Sequence, residues 1–107
     1  MKVLVTGGVG FVGTNLIIRL LKDGHEVVSV DDYSMGKKEN EQDGCTYYDM
    51  NLSEEPLEKI RMSKPDIIFH LAARARIVPS IKNPAYTLFN NLNSTIRVLD
   101  YARSKEI

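Results

Sequence analysis

Val3-Leu4-Val5-Thr6-Gly7-Gly8-Val9-Gly10-Phe11-Val12-Gly13 decides the reading of this chain. An apolar run ends in a stretch that holds four of the seven glycines, and an amphipathic segment, Asn15 to Lys22, follows at once. A strand that turns through glycines directly into a helix makes a cradle for phosphate. Glycine lets a ligand come close to the main chain, and the helix start offers unpaired N–H groups and the positive end of its dipole to an anion. The spacing reads as G-x-G-x-x-G from Gly8 and as G-x-x-G-x-x-G from Gly7. Both point to the pyrophosphate of a dinucleotide, although an ordinary strand-turn-helix has the same local pattern. The context separates the two. Val27-Val28-Ser29-Val30 reads as a second strand, and Asp31 closes it at about the 20-residue distance that a dinucleotide fold uses. A carboxylate there accepts hydrogen bonds from both adenosine ribose hydroxyls and repels a 2′-phosphate, which favours NAD over NADP. Lys37 and Lys38 are the dissent, since they could pair with a 2′-phosphate or simply face solvent.

The 107 residues bound the chain to one small domain. Hydrophobic content of 43% and charged content of 26% are ordinary for a globular protein. Fourteen basic residues balance fourteen acidic ones, so bulk charge implies neither a nucleic-acid nor a membrane partner. The single cysteine, Cys45, cannot form an internal disulfide and has no identifiable base beside it. With no signal-like or long apolar segment, a cytoplasmic address is expected.

The periodicities give the order strand, helix, strand, loop, strand, helix, strand, loop, helix. The first helix is expected from about Gly10 to Lys22, with Val12, Leu16, Ile17 and Leu20 inward and Gly24 as its left-handed cap. Asp32 to Gly44 reads as a loop with room for one helical turn, and Cys45 to Tyr48 as a third strand. Ser53 as N-cap, acids in the first turn and an early Pro56 predict a helix from Ser53 to about Met62. Asp66 to Leu71 is a continuous apolar run, expected as a fully buried strand. Asn83-Pro84 opens the last helix, in which Phe89, Leu92, Ile96 and Leu99 are expected to form the core face. Tyr86 and Phe89 read as core or helix-cover residues. Alternating strands and helices imply parallel pairing with right-handed crossovers. The fold class is therefore α/β: half of a doubly wound (Rossmann) sheet, four strands in order 3-2-1-4 with flanking helices, and the ligand at the carboxyl ends where the order reverses.

Further stretches line up with one family. Thr6-Gly7-Gly8-Val9-Gly10-Phe11-Val12-Gly13 resembles the TGGxGFxG opening of the extended short-chain dehydrogenase/reductases. Asp31 to Asn40 resembles the D-N-L-S-x-G-x-x-x-N loop of the NAD-dependent nucleotide-sugar epimerases and dehydratases. Asp49-Met50, His70-Leu71-Ala72-Ala73 and the run Ser80-Ile81, Pro84, Asn91 follow at family spacing. UDP-galactose 4-epimerases look most alike, with dTDP-glucose 4,6-dehydratases near them. The resemblance implies NAD as cofactor and a nucleotide-sugar substrate for the full-length enzyme. It implies that Gly7, Gly10, Phe11, Val12 and Gly13 meet the pyrophosphate, and that Asp31, Asp32, Tyr33, Ser34 and Gly36 surround the adenosine ribose. Asp49 would accept from the adenine amino group while Met50 covers the ring. Leu71, Ala72 and Ala73 would form the floor, and Asn91 would stand near the nicotinamide. Asp49 also reads as a solvated loop acid or a helix cap, and Asn91 as a polar position on an apolar helix. Arg74 and Arg76 read either as contacts to a diphosphate or as a basic loop. His70 is expected to be a satisfied structural group, and Asp31-Asp32 is not read as a metal pair, because adjacent acids at a strand end point apart.

The family's acid/base pair, Tyr-x-x-x-Lys preceded by Ser or Thr, belongs on a later helix. Tyr101 and Lys105 fit the spacing but fall too early in the topology, so no catalytic residue is assigned. Residues 1–107 are expected to be a single NAD-binding domain, truncated relative to the family, that does not turn over alone. A lone half-sheet leaves an unpaired edge, so self-association is expected through the strand 4 edge or the apolar face of the last helix. A non-catalytic dinucleotide-binding or sensing module is the alternative. A nucleotide-sugar dehydrogenase shares part of the opening, but Thr6-Gly7-Gly8 and His70-Leu71-Ala72-Ala73 argue against it.

Overall fold

The first strand, β1 (Lys2–Thr6), has Val3, Leu4, Val5 and Thr6 buried, because it is covered on both faces. A computed structural model describes residues 1–107 and places β1 beside β2 (Glu26–Asp31) and β4 (Ile67–His70), with β3 (Cys45–Asp49) beyond β2. All pairings are parallel and the order is β3-β2-β1-β4, as the sequence predicts. Alternation along the strands divides the core in two. Val3, Val5 and Val27 face helix α1 (Phe11–Lys22) and pack on its Ile17, with Leu16, Leu20 and Phe69 around them. Leu4, Val28 and Val30 face the other way, against Leu52, Leu57, Ile60 and, on the last helix, α3 (Pro84–Lys105), Val98 and Tyr101. Gly24, at φ +84°, turns the chain out of α1, and Asn83 caps α3 by accepting from the Tyr86 N–H at 3.1 Å.

Five expectations are corrected. Val12 is exposed, because it sits on the solvent side of the first turn of α1. The helix expected over 53–62 is a turn followed by a single 3₁₀ turn at Leu57–Lys59. The turn starts earlier than expected, because Asn51 and not Ser53 caps it: the Asn51 Oδ1 accepts from the Ser53 N–H and hydroxyl (3.0 and 2.6 Å), and its carbonyl accepts from the Glu54 and Glu55 N–H groups at 3.1 and 2.9 Å. Pro56, extended at φ −77° and ψ 146°, has no N–H to carry that turn on into a helix. Leu57 and Ile60 still reach the core. Third, β4 is an edge strand that is half-exposed, with Ile67 open to solvent.

The fourth correction concerns α3. Its inward face is Asn90, Ser94, Val98 and Tyr101, while Tyr86, Phe89, Leu92, Ile96 and Leu99 are exposed. Both sets recur at helical spacing, so periodicity alone does not choose between them. The small polar pair Asn90 and Ser94 lies inward because that part of the helix borders a crevice rather than the apolar core. Finally, Ile77–Lys82, expected as loop, forms a short helix, α2, packed on α3.

Candidate functional site

The strand order reverses between β1 and β4, and a cavity of about 330 Å³ opens at their carboxyl ends. Its first wall is the glycine loop. Gly7 has φ +78°, and a Cβ there would stand 2.9 Å from the Ala72 nitrogen, so both its angles and its neighbour demand glycine. A Cβ on Gly13 would strike the Gly7 carbonyl, which lets α1 start close under the loop. Gly10 differs. Its angles, φ −75° and ψ 178°, suit any residue, and the nearest heavy atom to an added Cβ is 3.5 Å away. The fold therefore does not require glycine at position 10. Gly10 faces the cavity, and it caps a helix start that has no side-chain cap and no acid in its first turn. Bare backbone beside uncapped N–H groups fits an anion lying directly on the chain.

The second wall is the end of β2. Asp31 Oδ2 accepts from the Val9 N–H at 3.1 Å and Oδ1 from the Tyr33 N–H at 2.9 Å. Each oxygen keeps acceptor capacity for a ligand hydroxyl. Burial raises the Asp31 pKa above its ordinary 3.8, and neighbouring Asp32 adds to this, while the two backbone N–H groups pull it down. The loop that follows is pinned back onto the glycine loop. Asn40 donates to the Val9 carbonyl at 2.8 Å, and Gly36 packs so tightly on that carbonyl that a Cβ has no room. Tyr33, at φ 60°, swings its hydroxyl away to donate to Glu41 at 2.5 Å.

The floor is Leu71-Ala72-Ala73, hung from β1 by one side chain. Thr6 Oγ1 accepts from the Leu71 and Ala72 N–H groups at 3.1 and 3.2 Å and lies 2.7 Å from His70 Nδ1. With both lone pairs used, the hydroxyl donates its proton to Nδ1, so the imidazole carries its hydrogen on Nε2. Nε2 then donates to Thr95 Oγ1 at 3.1 Å, which in turn donates to the Asn91 carbonyl at 2.8 Å. Burial lowers the His70 pKa below 6.5, consistent with this neutral ring. His70 is a strut between β4 and α3. Asn91 holds the next stretch, since its Oδ1 accepts from the Arg74 N–H at 2.6 Å and its Nδ2 donates to the Arg74 carbonyl at 3.2 Å.

Of the residues expected at a cofactor, Gly7, Gly10, Phe11, Asp31, Asp32, Ser34, Gly36, Met50, Leu71, Ala72, Ala73 and Asn91 line this one cavity. Val12, Gly13, Tyr33 and Asp49 do not. Gly13 lies beneath the loop, Tyr33 faces Glu41, and Asp49 is exposed at the end of β3. Asn51, Ser53, Asn90 and Ser94 line the cavity without having been foreseen. Two signals in the sequence could have found them: the Asn51-x-Ser53 turn and the small polar pair on an otherwise apolar helix. Tyr101 is 3% exposed, within the core and away from the cavity, and burial raises its hydroxyl pKa. The Lys105 ammonium lies 5.9 Å from its ring, and neither residue lines the cavity. Burial pushes the Cys45 thiol up to about 11, which keeps it protonated. No three His, Cys, Asp or Glu side chains are grouped to hold a metal, and no helix is long and apolar enough to cross a membrane.

Residues 3–107 match the NAD dependent epimerase/dehydratase family. A UDP-glucose 4-epimerase of Mycolicibacterium smegmatis is 37% identical over 109 aligned positions, covering 96% of this chain and 35% of that protein. The crystal structure of a Thermotoga maritima UDP-glucose 4-epimerase with UDP-glucose superposes with a TM-score of 0.93 at 30% identity, over 100% of this chain and 35% of the other. A Thermus thermophilus UDP-glucose 4-epimerase in complex with NAD gives 0.91 at 32%, again over 100% and 35%. The chain thus spans about a third of the length of these relatives. Glycine loop, the carboxylate of Asp31 and small-residue floor surround one crevice at the switch point of the sheet, and with the match over nearly all of the sequence they place the chain in the NAD-dependent epimerase/dehydratase family.

Proposed function

We propose that residues 1–107 form the NAD-binding domain of a nucleotide-sugar epimerase or dehydratase that acts by transient oxidation at sugar C4. The observation that carries the reading is Gly10, a glycine that the packing does not need, set in the crevice wall at an uncapped helix start. The α1 terminus receives the pyrophosphate, Asp31 the adenosine ribose, and Leu71 to Ala73 let the dinucleotide lie close to the sheet. Bound NAD supplies a hydride acceptor, and the role of this domain is to hold and orient it. Relatives with NAD and with UDP-glucose support the cofactor and the substrate class.

The acid/base pair of the chemistry is not among these residues, so the chain alone binds NAD without converting UDP-galactose to UDP-glucose. Self-association belongs to the same proposal. The half-exposed β4 edge and the stripe Phe89, Leu92, Ile96 and Leu99 leave apolar surface that a second copy would cover. A cytoplasmic address is likewise proposed, in keeping with a single cysteine that has no partner for an internal disulfide. Calorimetric titration tests the reading: saturable binding of NAD, tighter than NADP, is expected, and no binding of either overturns it.

A further inference from the structure

The acid after Asp31, Asp32, is paired across the crevice with a cation. Asp32 Oδ2 accepts from Arg74 Nη2 at 2.8 Å, and Arg74 Nη1 donates to Ser34 Oγ. Ser34 closes the triangle, donating to Asp32 Oδ1 from its N–H at 3.0 Å and its hydroxyl at 2.7 Å. The ion pair joins opposite walls of the crevice, the end of β2 and the loop after β4. Its side chains are only 21% and 25% exposed. The guanidinium has little freedom to leave. Asn91 grips the Arg74 main chain from both sides, and the Tyr86 ring lies 5.8 Å from the guanidinium carbon. Beyond Arg74 a second hollow of about 300 Å³ shares Ser34, Met35 and Arg74 with the crevice. Arg76, Tyr86 and Thr87 also line it, and no carboxylate does.

We propose that the Asp32–Arg74 pair sets which adenosine dinucleotide the crevice accepts, by withholding a guanidinium that would otherwise bind a 2′-phosphate. This inference rests on the dinucleotide reading of the crevice. A 2′-phosphate would enter between Asp31, Asp32 and Arg74, where two carboxylates outweigh one guanidinium. With Nη1 donating to Ser34 and Nη2 to Asp32, the terminal fork of Arg74 is already engaged and its charge is matched by Asp32. Removing the Asp32 charge reverses both conditions. The local charge becomes balanced, Arg74 regains a free fork, and Arg76 in the adjoining hollow adds a second cation. Removing Arg74 acts in the other direction, leaving two unpaired carboxylates beside the ribose.

The test is calorimetric titration of NAD and of NADP into the chain and into Asp32→Asn, Arg74→Met and the double variant. Asp32→Ser serves as a second probe of the acid should the asparagine disturb the loop. Asp32→Asn and Asp32→Ser are expected to move the affinity ratio tenfold or more toward NADP. Arg74→Met moves it toward NAD, and the double variant loses the gain of Asp32→Asn. A pair that merely braces the loops weakens both dinucleotides together and leaves the ratio unchanged. That result overturns the inference while NAD binding by the wild-type chain still stands. A wild-type chain that binds neither dinucleotide overturns both.

Discussion

Replacing Gly10 by alanine should leave the fold intact and damage binding, and the structure supplies the magnitudes. An alanine Cβ at position 10 meets nothing nearer than the Gly7 carbonyl at 3.5 Å, at backbone angles that alanine adopts freely. Alanine is a poorer N-cap than glycine, a loss of about 0.5–1 kcal/mol. Its stiffer unfolded chain returns about 0.4–1 kcal/mol. The net change in stability is therefore within about 0.5 kcal/mol. The methyl group occupies the surface on which the pyrophosphate is proposed to lie, and a loss of about tenfold to a hundredfold in NAD affinity, roughly 1.4–2.8 kcal/mol, is expected. Gly13→Ala is the contrasting change. Its Cβ meets the backbone of Gly7 and Gly8, where no flexible side chain can move aside, so a loss near the upper end of about 1–3 kcal/mol is expected. Urea unfolding by circular dichroism gives the stabilities, and calorimetry gives the affinities. Wild-type NAD affinity in Gly10→Ala would refute the placement of the pyrophosphate, and unfolding of that variant would refute the open space around Gly10.

His70 makes stability depend on pH. Its folded pKa lies below 6.5, so the unfolded chain takes up the proton first. The stabilisation is present above 6.5 and is lost as pH falls through the folded value. Urea midpoints should therefore drop below pH 6.5, and His70→Leu should flatten that slope while lowering stability throughout. Asp31, with its raised pKa, acts in the opposite sense as pH rises above 3.8, so it is the difference between the two proteins that isolates the imidazole. Ser29 carries a buried hydroxyl with no partner. Ser29→Ala should be neutral or stabilising by up to about 1 kcal/mol in thermal melts, whereas a hydroxyl with an unseen partner would show a loss. Leu92→Glu and Ile96→Glu, both on the exposed stripe, should leave the fold intact and reduce self-association in sedimentation velocity. A wild-type chain that sediments as a monomer at all concentrations would end that proposal.

What the sequence made legible follows the range of the forces involved. The glycine loop, the first two strands and Asp31 lie within the first 31 residues and carry local signals: periodicity, turn chemistry and a strand-ending acid. Strand order followed from alternation and handedness. Residues 53–62 carry the signals of one helix, but Asn51 rather than Ser53 caps the first turn, so Pro56 falls where a helix needs an N–H instead of at its start. The face of α3 was misread because Phe89, Leu92, Ile96 and Leu99 carry the stronger apolar signal, yet the sheet and crevice receive Asn90, Ser94, Val98 and Tyr101. The Asp32–Arg74 pair joins residues far apart in sequence, and no local pattern announces it. The strut from Thr6 through His70 to Thr95 was legible only as far as His70 being structural, because its partners lie on other elements.

Where NAD meets the chain decides between a dinucleotide crevice and a bare fold, and amide chemical-shift mapping measures that directly. On titration of NAD into isotope-labelled chain, the N–H signals of Gly10 to Gly13, Asp31 to Gly36 and Leu71 to Ala73 are expected to move together and saturate. Shifts confined to the exposed face of α3, or none at all, would contradict it.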